Sequence, residues 1–297
     1  MSIHITPLTC PGRVLSGHRL AWLASDADGI PVGSAFLRVF TDAGREHLAE
    51  LTLAVHPAER RRRIGSRLLD AALAAAREDG RRHVVAQAEA GSPGGRFLPA
   101  RGFRKALTLT YARLALDTVD ATALVGIVGR PHPGYRLTSW HGTVPDHLAG
   151  TFAASRRAMD DMPMDDAGHD AGRTTVTWDV DRVREAARAV RERGELLHTV
   201  AAVDERDGSI AGFTELVVPG DGRGDAQHYG TAVLPGHRGH GLGRWMKAAS
   251  IRRAREDHPG LAGLLTDTAD GNAYMRRIND GLGYVPTHQV LEYRLTL

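Results

Sequence analysis

The sequence predicts an α/β protein in which one strand–helix pattern is written twice. Three observations carry that expectation. Val55–Asp79 (VHPAERRRRIGSRLLDAALAAARED) aligns without a gap on Val233–Asp257 (VLPGHRGHGLGRWMKAASIRRARED), at a constant spacing of 178. In each copy a strand-like run gives way, at a proline-marked turn, to a segment of helical periodicity. Each copy then closes on another alternating run, LTLTYARLAL (Leu107–Leu116) and QVLEYRLTL (Gln289–Leu297). Such self-similarity marks a duplicated domain, and alternation of strands with helices marks the α/β class.

Taken in order, the first half opens with strand candidates HRLAWLAS, PVGSAFLRVF and HLAELTLAV. The helix that follows sets Ile64, Leu68, Ala71, Ala72 and Ala75 on one face, and its counterpart uses Leu242, Met246 and Ala249; these are core positions. Gly102-Phe103 is answered by Gly283-Tyr284. Around 117–133 the chain carries glycine, Pro131 and Pro133 without amphipathic period, which reads as a linker. The expected division is a truncated first domain at 1–118, a linker at 119–132 and a complete second domain at 133–297. Only the second copy has a strand at Tyr135–Trp140, helices near Pro145–Met159 and Val180–Arg193, and the acidic loop DDMPMDDAGHD between them.

Composition excludes several classes. With 42% apolar residues and a net charge of +3, the chain reads as globular. It shows no apolar run of membrane-spanning length and no secretory pattern at its start, so the expected location is cytoplasmic, with no membrane partner. Cys10 is the single cysteine, which excludes an internal disulfide and a thiolate zinc site. Arginine supplies almost all the positive charge, Lys105 and Lys247 being the only lysines. The run Arg60–Arg63 reads as a helix start facing phosphate or solvent, with a nucleic-acid patch as the alternative; no nucleic-acid partner is expected.

The stretch HRGHGLGR sets glycines at 239, 241 and 243 between a strand end and a helix. The first N–H groups of a helix lack intrahelical partners and carry partial positive charge, so an anion fits there. Glycine lets the backbone approach phosphate oxygens, and Arg238 and Arg244 add matching charge. A Walker loop would need Gly-Lys-Ser/Thr, and the dinucleotide spacing G-x-G-x-x-G is absent. His237 and His240 lack carboxylates at ligand spacing, and no metal site is expected.

Arg238-x-x-Gly241-x-Gly243, preceded by Val233-x-Pro235, is similar to the coenzyme A motif of the GCN5-related N-acetyltransferases (GNAT), and both copies share the likeness. The resemblance implies two tandem GNAT-like domains, each a mixed, mostly antiparallel sheet flanked by helices. It implies acetyl-CoA as acyl donor, held by Ala232, Val233, Arg238, Gly239, His240, Gly241, Leu242, Gly243 and Arg244. The strand around Thr231–Val233 would splay from its neighbour to pair with the pantetheine arm, with Asn272 and Asn279 beside pantetheine and thiol. The first copy has Arg63 at the place of Gly241 and lacks the early helices that help form the acceptor pocket, so it reads as the non-catalytic half.

A lysine-like amine is ~99.9% protonated at pH 7, a deficit of roughly 3–5 kcal/mol in nucleophilic form. Something must take that proton, and the thiolate must receive one. Glu215, on the strand GFTELVV, is the candidate base, with His228 and Tyr229 as alternatives acting through water. Many family members carry tyrosine four residues before the closing glycine; Asn279 stands there in the second copy and Leu98 in the first, while Tyr274 is displaced by more than a turn. Asp161 and Asp165 of the acidic loop are candidate contacts for a cationic acceptor, a solvated loop being the alternative. The leading reading is acetyl transfer to the amine of a small molecule, a metabolite or antibiotic-like compound. The alternative is a non-catalytic acyl-CoA-binding regulatory or scaffold protein.

Overall fold

Alternating runs become strands and periodic runs become helices. The computed structural model describes residues 3–8, 17–41, 44–161 and 177–297. In chain order these form β1 (His4–Leu8), β2 (Gly17–Ser25), β3 (Pro31–Phe40), β4 (Leu48–Val55), α1 (Ile64–Glu78), β5 (His83–Glu89), α2 (Pro93–Phe97) and β6 (Arg104–Ala115). There follow α3 (Ala121–Val128), β7 (Tyr135–His141), α4 (Asp146–Ser155), α5 (Val180–Glu192), β8 (Leu196–Asp204), β9 (Ile210–Val218) and β10 (Gly224–Val233). The chain closes with α6 (Leu242–Asp257), β11 (Leu261–Ala269), α7 (Ala273–Asp280) and β12 (Val285–Thr296).

Among the described residues the chain forms two compact units, the first from residues up to Thr108 with Gln289–Leu297, the second from Leu109 to His288. This division differs from the expected 1–118 and 133–297. The closing strands are exchanged. Within the second unit β6 pairs with β11, from Leu109 opposite Ala269 to Ala115 opposite Gly263. Within the first, β12 pairs with β5, from Val290 opposite Glu89 to Thr296 opposite His83. Local alternation specifies that a segment is extended and which side chains share a face, and says nothing about which ladder it joins.

The expected linker at 119–132 is also replaced. It contains α3, capped by the Asp120 carboxylate on the Ala123 amide at 3.0 Å, and it packs on α6. Leu124 is buried in the second unit's core with Ile127 and Val128 against its neighbours. His132 stacks on Trp245 at 4.1 Å, and the Trp245 indole donates to the Val128 carbonyl at 2.9 Å. Eight residues give too few turns for a readable period.

Each unit has the mixed, mostly antiparallel sheet that the resemblance implies. In the first the order is β1-β2-β3-β4-β5-β12, with β4 and β5 parallel. In the second it is β7-β8-β9-β10-β11-β6, with β10 and β11 parallel. In the first unit α1 lays Ile64, Leu68, Leu69, Ala72 and Ala76 on β2, β3 and β4. In the second, α6 covers one face of β8 and β9 while α4 and α5 cover the other, so all nine residues of β9 are buried. No helix among the described residues is long and apolar enough to cross a membrane.

Candidate functional site

The site begins where a ladder ends. In the second unit β10 and β11 pair from Gly224 opposite Leu261 to Gln227 opposite Leu265, and then part. Beyond that point β10 stays on β9 as far as Val233, and β11 stays on β6 as far as Ala269. The stretch around Thr231–Val233 therefore has no β11 ladder partner, an opening an extended polar ligand can fill. Ala232 faces the core that includes α4, and Val233 packs toward α6. A register shift between His228 and Gly230 bulges the strand at Tyr229, setting Gly230 opposite Glu215.

Below the opening, α6 starts without a side-chain cap. Gly241 is its N-cap at φ 75°, and Gly239 lies at φ 85°, in the left-handed region that glycine enters without a Cβ penalty. Arg238 folds back, its Nε donating to the Val233 carbonyl at 3.1 Å. His132 Nδ1 lies 3.0 Å from the His240 carbonyl and buttresses the turn from outside. Arg244 is exposed on the first turn and Leu242 is buried beneath it. Gly243 serves packing: a Cβ there would lie 3.3 Å from Ile278 Cδ1 of α7.

Glu215 is buried at 3% exposure on the face of β9 that α4 covers. Arg156 donates to its Oε1 at 2.5 Å, and the guanidinium lies against the rings of Trp178, Phe152 and Phe213. Burial pushes the Glu215 carboxyl above its ordinary range against the opposing pull of Arg156, and burial lowers Arg156 itself. The two alternatives fare differently. His228 is fully buried and held well below its ordinary pKa by burial and by Lys247, which favours the neutral imidazole, and among the described residues its Nε2 has no hydrogen-bond partner. Tyr229 is half exposed and accepts from Arg193 at 2.8 Å.

The two asparagines are occupied within the fold. Asn272 caps α7, accepting from the Met275 amide at 3.0 Å. Asn279 is 4% exposed; its Oδ1 accepts from Lys247 Nζ at 2.7 Å and its Nδ2 donates to Thr268 at 3.0 Å. Lys247, from the middle of α6, also reaches Thr266 at 3.4 Å and sits 4.7 Å from the Tyr284 ring centre. Burial brings its pKa down to about 7. Among the described residues the Tyr284 hydroxyl beside it has no hydrogen-bond partner. Asp165 lies outside the described residues, as does the side chain of Asp161.

Sequence reasoning missed Arg156, Lys247 and His132. Lys247 left a trace as one of two lysines in an arginine-rich chain, set on an apolar face. Arg156 and His132 left none, since their partners lie 59 and 108 positions away.

The parted strands and the uncapped glycine turn define the class of fold: an α/β sheet with an open strand edge directly above a free helix N-terminus. The acetyltransferase (GNAT) family profile matches residues 10–103 and 165–284, and the chain belongs to that family. It is 31% identical over 220 residues to a mycothiol acetyltransferase of Sanguibacter keddieii, covering 72% of this chain and 64% of that protein. A mycothiol acetyltransferase of Nocardia farcinica is 30% identical over 276 residues, covering 91% and 81%. The match thus spans a little under two thirds of the first relative's length. Among solved structures, a tandem GNAT protein from the clavulanic acid biosynthesis pathway has a TM-score of 0.74 at 24% identity, covering 95% of this chain and 84% of that one.

Proposed function

We propose that this chain transfers the acetyl group of acetyl-CoA to the amine of a small molecule, and that the second unit does the work. The observation that carries the reading is the parting of β10 from β11 directly above the uncapped α6 turn, with a carboxylate opposite the strand bulge. The pyrophosphate rests on the α6 amides between Arg238 and Arg244, and pantetheine runs along Ala232 and Val233. Glu215 takes a proton from the acceptor ammonium, and the amine nitrogen attacks the thioester carbon. The C–S bond breaks and the thiolate takes a proton from the product nitrogen or from water, leaving an amide, the free thiol and one released proton. Burial raises the Glu215 carboxyl above its ordinary range, which makes it a stronger base for this task than an exposed one. The relatives named as mycothiol acetyltransferases support a small-molecule acceptor. An acidic loop carrying Asp161 and Asp165 favours a cationic one.

The second reading is an acyl-CoA-binding protein without turnover, and two observations favour it. Arg156 closes over Glu215 at 2.5 Å, and an occupied Asn279 stands where many family members have tyrosine. Thiol release from acetyl-CoA across an amine panel separates the two. Steady release that disappears in Glu215→Gln supports the enzyme; tight coenzyme A binding with no turnover on any amine supports the sensor.

A further inference from the structure

At the other end of α6 from the glycine turn, four side chains of the second unit converge that neither acetyl transfer nor the hydrophobic core uses. His141 on β7 and His198 on β8 are directly opposed across the antiparallel ladder, with ring centres 4.0 Å apart. Cross-strand partners share a face, and here that face meets the last turn of α6. Asp257 ends α6, its Oδ2 3.8 Å from His141 Nε2. His258 follows as the C-cap, and its Nε2 lies 3.0 Å from His198 Nε2. The donor atoms of His141, His198 and Asp257 lie within 4.8 Å of one another. A recess of about 440 Å³ opens beside them, with Glu195 and Arg191 on its wall.

We propose that His141, His198 and Asp257 bind a first-row transition-metal ion of the Zn²⁺ type, with His258 beside them as a hydrogen-bond partner of His198. Tetrahedral zinc with bonds of about 2.0–2.1 Å holds its donors roughly 3.3 Å apart; His141 and Asp257 stand at 3.8 Å and all three donors lie within 4.8 Å, so small side-chain rotations close them on an ion. Two imidazoles and one carboxylate, with a fourth position open to water from the recess, suit zinc, and they suit calcium and magnesium poorly, since those ions prefer all-oxygen shells. The C-terminal end of a helix is its negative pole, which also favours a cation there. His198 is mostly buried while His141 and Asp257 are exposed, so the ion enters from the recess and is anchored from within. Once bound it pins the β7–β8 edge to the end of α6. The glycine turn is about 24 Å away along a helix of 16 residues, so this site is separate from the acyl-CoA site.

The test uses the full chain after chelator treatment and dialysis, titrated with Zn²⁺ by calorimetry and with Co²⁺ by visible absorption. One equivalent is expected, with a dissociation constant below about 10 µM, an intense tetrahedral Co²⁺ band and a raised Tm. His141→Ala and Asp257→Asn change exposed side chains and leave the fold intact; each is expected to weaken binding at least ~10-fold, and His198→Ala to abolish it. Absence of saturable binding up to about 100 µM metal overturns the proposal. So does binding that His141→Ala and Asp257→Asn leave unchanged, which would assign the metal to other surface histidines.

Discussion

In the first unit Arg60 donates through Nε to the Val55 carbonyl at 3.3 Å, and in the second Arg238 does the same to Val233 at 3.1 Å. Arg61 and Arg63 hold φ values of 68° and 61° where Gly239 and Gly241 hold 85° and 75°. Both helices then begin without a side-chain cap. The left-handed turn and the uncapped helix start have thus been kept in both units, with left-handed strain tolerated in the first. Above the turn the units diverge. Val55 opposite Gly33 and Val233 opposite Gly212 set a common register, which puts Phe36 at the place of Glu215 and Thr52 at the place of Gly230. The β3–β4 ladder runs through this stretch without a bulge, and Phe36 is 44% exposed. In the interior, Leu69 and Leu98 fill the places of Lys247 and Asn279. What separates the halves is the chemistry placed over the turn.

Removing the carboxylate is expected to have the largest effect on the second unit. Glu215→Gln is expected to lower kcat roughly 100-fold or more, with KM for acetyl-CoA within about twofold. Steady-state rates of thiol release check it, and an unchanged kcat removes Glu215 from the mechanism. Next, Gly241→Arg gives the second turn the first turn's residue. Its Cβ would lie 3.3 Å from His132 Cε1, on a backbone costing about 1–2 kcal/mol for a side chain. Calorimetry should show coenzyme A affinity falling at least ~10-fold, a loss matching about 1.4 kcal/mol or more.

Lys247→Leu gives the second unit's interior the first unit's residue, and its effect depends on pH. The Lys247 pKa is about 7 in the fold against 10.5 unperturbed. Between those values the unfolded chain binds more protons, so the lysine protein gains stability as pH rises, and the leucine protein lacks that gain. The stability of Lys247→Leu relative to the parent is therefore greatest below pH 7. It falls by about 1.4 kcal/mol per pH unit above it, as urea melts at pH 6, 8 and 9.5 would show. A flat difference would mean that Lys247 is an ordinary lysine. The smallest effect is expected from Arg63→Gly, which relieves left-handed strain and stabilises the first unit by about 1 kcal/mol. If it also created a second equivalent of coenzyme A binding, the two turns would differ only by that side chain.

The local structures and the glycine turn were legible in the residues alone. The offset repeat, the strand and helix runs, the glycines at 239 and 241 and the extra helices of the second half are short-range signals. They are written in periods of two and 3.6 residues and in the steric needs of a left-handed backbone. Where the closing strands pair depends on the packed fold, since Leu109 and Val290 alternate equally well in either sheet. It also turned 119–132 from a spacer into a helix packed on α6, and gave Glu215 its Arg156 and Asn279 its Lys247. The same holds for the histidines at 141, 198 and 258, which meet only because a ladder register and a helix end bring them together. Hydrogen bonds and burial between distant positions carry no sequence period, so the chain states which groups are available and the packed fold selects which of them meet.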